Sequence, residues 1–155
     1  MAITFIKDSL NKLLRRWALS EATFLNGIPA PSTYIIQEPN AKIRRVYANH
    51  NFKKGEIIEH APVILIECSF DELPQELRSI VFDWEALAKI TYPCQAIALG
   101  LGNLYQHSNN PNLSFIANTE DPSIVFTATR AVKHGEELTI DYRRAGSKFH
   151  LIESP

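Results

Sequence analysis

The chain has 155 residues, with 16 basic and 17 acidic side chains, a formal net charge of -1, 45% hydrophobic residues and 21% charged ones. This size and balance fit one globular domain that folds without disulfide or metal staples, and near-neutrality argues against a protein whose main task is coating nucleic acid. Cys68 and Cys94 have neither zinc-site spacing nor the density of a secreted scaffold, and read as free thiols in a reducing compartment.

In chain order, MAITFIKDSL has an early acid and no signal-peptide apolar core, and no later run approaches the roughly 20 apolar residues that cross a bilayer. The expected address is intracellular and soluble, cytoplasmic or, in a eukaryotic cell or host, nuclear. Residues 5 to 19 place Phe5, Ile6, Leu10, Leu13, Leu14 and Trp17 at helical spacing with basic residues between, which predicts an amphipathic helix packed on the domain or docking to a membrane surface or partner. NGIPAPSTYIIQEPN follows as an irregular connection around one short strand, TYIIQ.

From residue 42 the pattern turns to strands. RRVYA, EIIEH and PVILI read as strand segments, KKGE as a turn, and Pro62 as a break or edge. SFDELPQELRSIVFDWEAL predicts a short helix around PQELRS and a short strand IVFDW, with Asp71, Glu72, Glu76, Asp83 and Glu85 set against Arg78; such acids attract a basic peptide or form a solvated face. NLSFIAN and SIVFTATRAV alternate like paired strands, and KHGEEL turns into LTIDY. The sum is a β-dominated α+β domain with many turns.

Most catalytic patterns fail. GLGNLY lacks the third glycine and the βαβ context of a dinucleotide site, His107 and Ser108 are adjacent without a nucleophile elbow, and the five histidines have no metal-ligand spacing. Two segments remain, LYQHSNNPN at 104 to 112 and GEELTIDY at 135 to 142. Alone, the first reads as a surface turn and the second as a strand ending in a packed tyrosine.

Together they resemble the SET-domain protein lysine methyltransferases, whose signature is N-H-S-x-x-P-N followed by G-E-E-L-T-x-D-Y. The family's upstream G-x-G-V-F-A segment, K-G-E turn and acid-containing strand look like IRRVYANHNFKKGEIIEHAPVILIE here. The resemblance divides the chain into an N-terminal helix and connection (1-41), a SET-like domain (42-142) and a short C-terminal tail (143-155). It implies a β-clip of several small sheets with a knot-like C-terminal crossing. It also implies S-adenosylmethionine as cofactor and methyl transfer to lysine in a basic protein or peptide, histones among the candidates.

By position in that motif, Tyr142 matches the tyrosine at the methyl-transfer point. Arg44, Arg45, Tyr47, Gln106, His107 and Tyr142 are implied at the cofactor; Tyr105, Tyr47 and Phe149 are implied along the lysine channel, with core packing the alternative for Tyr105 and Tyr47. Asn112 is implied to hold the loop at the crossing. Three departures stand out. Gln106 replaces the family asparagine, Ile43 and Arg45 replace both glycines of G-x-G, and no cysteine-rich segment follows Tyr142. Loss of glycine narrows the approach of backbone to ligand, and Arg45 is a candidate partner for the cofactor carboxylate. These changes support a rival reading, a SET-like module that binds a partner without catalysis.

Overall fold

The structure is a computed structural model that describes residues 32–37 and 43–145. The expected helix at 5 to 19, the connection before residue 32, and Phe149 and His150 of the tail lie outside the described residues.

Among the described residues nine strands form three sheets. β1 (Thr33–Gln37) pairs antiparallel with β2 (Arg44–Ala48). β3 (Ile57–Ile66), β4 (Val81–Asp83), β5 (Gln95–Ala98), β7 (Leu113–Asn118) and β8 (Ser123–Ala128) make a five-stranded sheet in the order β4-β5-β3-β8-β7. The third sheet joins β6 (Gln106–His107) to β9 (Thr139–Ile140) in parallel.

Pro62 does not break its strand. β3 continues through it and changes partner there: Pro62 is the last residue opposite β8, at Ser123, and Val63 the first opposite β5, at Ala98. A proline has no N–H to give, so a hand-over between ladders is a place it fits. Its carbonyl still accepts from the Leu99 N–H at 2.8 Å.

The expected helix at PQELRS is instead a run of turns. Leu77, Arg78 and Ile80 donate to the carbonyls three residues before them, at Pro74, Gln75 and Leu77. The Arg78 guanidinium reaches back to the carbonyls of Leu73 (3.0 Å) and Asp71 (2.7 Å), which ties the segment into a loop. The helix falls later, as α1 (Trp84–Ala88): Asp83 ends β4 and caps α1 by accepting from the Ala86 N–H at 3.0 Å, and Lys89 closes it with φ of 55°. The expected strand IVFDW therefore stops at Asp83.

The core lies between the five-stranded sheet and the segments that cross it. Phe126 is fully buried and meets Tyr105, Phe115 and Phe82 at ring separations of 5.0, 5.9 and 6.3 Å. Fully buried Val46, Ile124, Leu138 and Ile140 bring β2, β8 and β9 onto the same core.

Candidate active site

The site grows from the crossing of the two segments singled out in the sequence. β9 runs beside β6 with Gln106 opposite Thr139 and His107 opposite Ile140, and the Ser108 N–H donates to the Ile140 carbonyl at 2.9 Å. Asn112, 2% exposed, holds the crossing from below. Its amide donates to the Glu137 carbonyl (2.8 Å) and the Glu136 carboxylate (3.2 Å), and its oxygen accepts from the Thr139 N–H (2.9 Å). A primary amide suits this place because it satisfies a backbone acceptor and a backbone donor at once.

The crossing delivers Tyr142 to the Gln106–His107 strand. The Tyr142 hydroxyl donates to the Tyr105 carbonyl at 2.7 Å, and its N–H donates to Nδ1 of His107 at 3.2 Å. Burial pushes the Tyr142 hydroxyl above the ordinary phenol range, so it stays protonated at neutral pH. Asp141, before it, is clamped by Arg143: Oδ1 accepts from Nε at 2.9 Å and Oδ2 from Nη2 at 3.0 Å. That hydrogen-bonded pair holds the Asp141 carboxyl below the usual carboxylate range.

The residues implied at a cofactor converge on the same edge. Gln106 Nε2 donates to the carbonyls of Arg44 and Leu104, both at 3.1 Å, so its side chain joins the start of β2 to the loop before β6. Arg45 makes a two-oxygen ion pair with Glu137, at 2.9 and 3.2 Å. Arg44 is exposed and has no ion pair among the described residues. Tyr47 stacks on Tyr34 with ring centroids 5.6 Å apart, on β2 next to Arg45's strand position and opposite Glu137.

Tyr105 settles differently from a channel wall. Its ring is fully buried against Phe126 and its hydroxyl donates to Glu59 at 2.8 Å, so the ring is core packing and only the carbonyl reaches Tyr142. Glu59 was not singled out by sequence reasoning. It also accepts from the Leu101 N–H at 2.6 Å, burial raises its pKa, and burial first and the Glu59 carboxylate second raise that of the Tyr105 hydroxyl. Gly100, at φ of 141°, makes room for it, since a Cβ there would run into Glu59 Oε1. The one signal that marked this group was an acid, beside His60, in a mostly apolar strand. A small cavity beside Tyr142 is lined by Phe82, Gly102 and Asn103, and Asn103 Oδ1 is buried without a hydrogen-bond partner among the described residues.

Comparison with known proteins places this geometry. A family model described as the SET domain matches residues 44–143. A histone-lysine N-methyltransferase of Schizosaccharomyces pombe, specific for H3 lysine-37, is 30% identical over 111 residues, covering 69% of this chain and 71% of that protein. Among solved structures, a candidate histone methyltransferase of Plasmodium falciparum superposes with a TM-score of 0.57 at 23% identity, covering 73% of this chain and 94% of the other. A humanized mutant of the Chaetomium thermophilum Polycomb Repressive Complex 2, bound to the inhibitor GSK126, gives a TM-score of 0.53 at 20% identity over 73% of this chain and 15% of that one. These structural likenesses concern the fold, a set of small curled sheets closed by the crossing described above.

Proposed function

This chain belongs to the SET domain family, and from that premise we propose that it is an S-adenosylmethionine-dependent protein-lysine N-methyltransferase acting on a basic protein or peptide, with histone tails among the candidates. One observation carries the reading: the Tyr142 hydroxyl, held on the Tyr105 carbonyl at 2.7 Å at the edge of the β6–β9 crossing.

The residues present fit the cofactor. A zwitterionic nucleoside with a sulfonium needs a cation for its carboxylate and polar groups for its base and sulfonium ends. Arg44 offers a guanidinium that has no ion pair among the described residues, and the loop at 104 to 107 contributes backbone carbonyls beside it. S-adenosylmethionine when bound supplies an electrophilic methyl group. What the chain's own residues contribute is position and polarity. Because Tyr142 stays protonated and spends its hydrogen on the Tyr105 carbonyl, its oxygen lone pairs are oriented acceptors, and it acts as a preorganised dipole and not as a base. A free lysine has a pKa near 10.4, so the substrate amine must shed its proton to solvent before attack, aided by the apolar surroundings of Phe82 and Tyr142.

A second reading has specific support. Arg45, in a position where the family carries glycine, is locked on Glu137, and Gln106 spans to β2; both tighten the edge where a cofactor would enter. A SET-like binding module without catalysis follows from that closure. Calorimetric titration with S-adenosylmethionine, and with S-adenosylhomocysteine as product control, separates the two. Saturable one-to-one binding supports the enzyme, and no heat from well-folded protein sinks it in favour of the module. Tyr142→Phe extends the test. Methyl transfer to a histone-tail peptide is expected to fall by about 100-fold or more, with the fold, read by melting temperature, kept.

Among the described residues no helix is long and apolar enough to cross a membrane. The reading of a basic substrate rests on the acidic residues between 71 and 85 and on the chemistry of the family.

A further inference from the structure

β4 has two faces, and each borders a cavity. Phe82 lines the small cavity beside Tyr142, whereas Val81 and Asp83, pointing the other way, line a pocket of about 150 Å³. The second pocket therefore opens on the opposite side of the strand from the methyl-transfer site. Ser69, Phe70, Glu85, Pro93 and Gln95 complete its wall.

Two features of this pocket point to a ligand. Asp83 and Glu85 bring negative charge that local structure leaves available: Asp83 uses Oδ1 to cap α1, and among the described residues its second oxygen and the Glu85 carboxylate have no partner. Independently, Gln95 is 4% exposed, lines the pocket, and its side-chain amide makes no hydrogen bond among the described residues. Among the described residues only Asn103 Oδ1 is a fully enclosed side-chain atom without a partner, so the unpaired Gln95 amide faces the space of the pocket, where a ligand can pair it. Arg78, which sits on Phe70 of the pocket wall, is already committed. Its guanidinium lies 5.8 Å from the Phe70 ring centroid and is held by the carbonyls of Leu73 and Asp71, so Phe70 serves here as an apolar wall.

We propose that this pocket binds the guanidinium of an arginine side chain from a protein partner, with Asp83, Glu85 and the Gln95 amide oxygen as acceptors and Phe70 and Pro93 packing on its stem. Three acceptors around one small cavity match the planar, five-donor fork of arginine better than the point charge of lysine. The contact needs no cofactor and no catalysis, and goes beyond the reading of the methyl-transfer site.

The test uses the full chain and a dye-labelled pentapeptide of alternating glycine and arginine, read by fluorescence anisotropy at low ionic strength. Counterparts carry lysine or the neutral isostere citrulline. The arginine peptide should bind at least about tenfold more tightly than the citrulline peptide, the size of one charge-assisted hydrogen bond. Asp83→Asn with Glu85→Gln should abolish that difference. Asparagine still caps a helix, so α1 is kept, and an unchanged melting temperature confirms it. Gln95→Leu, which matches the volume but cannot accept, should weaken binding of the arginine peptide alone. Tyr142→Phe should leave binding unchanged, which keeps this result independent of the fate of the methyltransferase reading. Equal binding of the citrulline or lysine peptide, or affinity indifferent to the double variant, overturns the proposal.

Discussion

Asn112 shows how much one side chain decides. It makes three hydrogen bonds from a position 2% exposed, two of them to the backbone of the segment that carries Tyr142. Asn112→Ala leaves the Thr139 N–H and the Glu137 carbonyl buried and unpaired, and is expected to destabilise the fold by about 2–4 kcal/mol. Asn112→Asp is informative beside it. Aspartate can still accept from Thr139, but it places a third carboxylate beside Glu136 and Glu137 and cannot donate to the Glu137 carbonyl, so it should rescue little. Urea denaturation of both variants checks this, and an aspartate variant as stable as wild type would refute the account. The asparagine's importance was legible because it ends a motif with a counterpart further along the chain. Glu59 was hard to read for the opposite reason: beyond being an acid in a mostly apolar strand, it finds its partners, Leu101 and Tyr105, far along the chain.

At the scale of elements, the turns were the easiest features to read and carried more than they announced. KKGE at 53 to 56 and KHGE at 133 to 136 fold alike. In each, the glutamate carboxylate accepts from the lysine N–H (2.9 and 3.1 Å) and the glycine adopts positive φ, 84° and 79°. They also face each other's strands reciprocally: Gly55 donates to Ala128 and Ala128 to Glu56, while Gly135 donates to Ala48 and Ala48 to Glu136. Phe52 and Val132, just before the turns, exchange hydrogen bonds with each other. This internal two-fold arrangement escapes a search for repeats because only the turn chemistry recurs, while the flanking residues differ. No side chain lies within van der Waals contact of a Cβ at Gly55, and only the Tyr34 hydroxyl, at 3.9 Å, lies near one at Gly135. Gly55→Ala and Gly135→Ala are thus expected to cost about the same, roughly 1–2 kcal/mol each, from backbone strain alone. Unequal values in chemical denaturation would show that the two turns bear different loads. The helix at PQELRS was misplaced because periodicity over so short a stretch cannot register a capping aspartate at 83 or an arginine folding back on its own loop.

For the molecule as a whole, the ordered trio of segments disclosed the family, whereas sheet order and the hand-over at Pro62 depend on contacts between distant strands that no local pattern encodes. The same long-range contacts set the response to pH. Glu136 bonds to Arg130 and to Asn112, and the first of these chiefly lowers its pKa to about 2. Asp141 is lowered in the same direction by Arg143. A carboxylate depressed in the folded state binds its proton more readily when unfolded, so the stability it contributes is present above the ordinary value of 4.5 for Glu136 and is lost as the pH falls toward about 2. Glu59 runs the other way. Burial raises it, so its contribution is fully present below 4.5 and is lost as the pH rises through its folded value. The two opposing slopes predict maximum stability in the mildly acidic range, near that shared reference value, and not at neutrality. Glu59→Gln, an isostere of the protonated acid that can still accept from Leu101 and donate to Tyr105, should flatten the neutral side of the curve while leaving the acid side unchanged. Glu136→Gln should do the reverse, because it removes the group whose protonation breaks the contact with Arg130 at the foot of the crossing. Urea midpoints measured at about pH 3, about pH 4.5 and about pH 7 for wild type and both variants decide the matter. Parallel curves for all three proteins would mean that neither carboxylate governs the acid response, and that the half-buried Glu59 is stabilised by something other than its two hydrogen bonds.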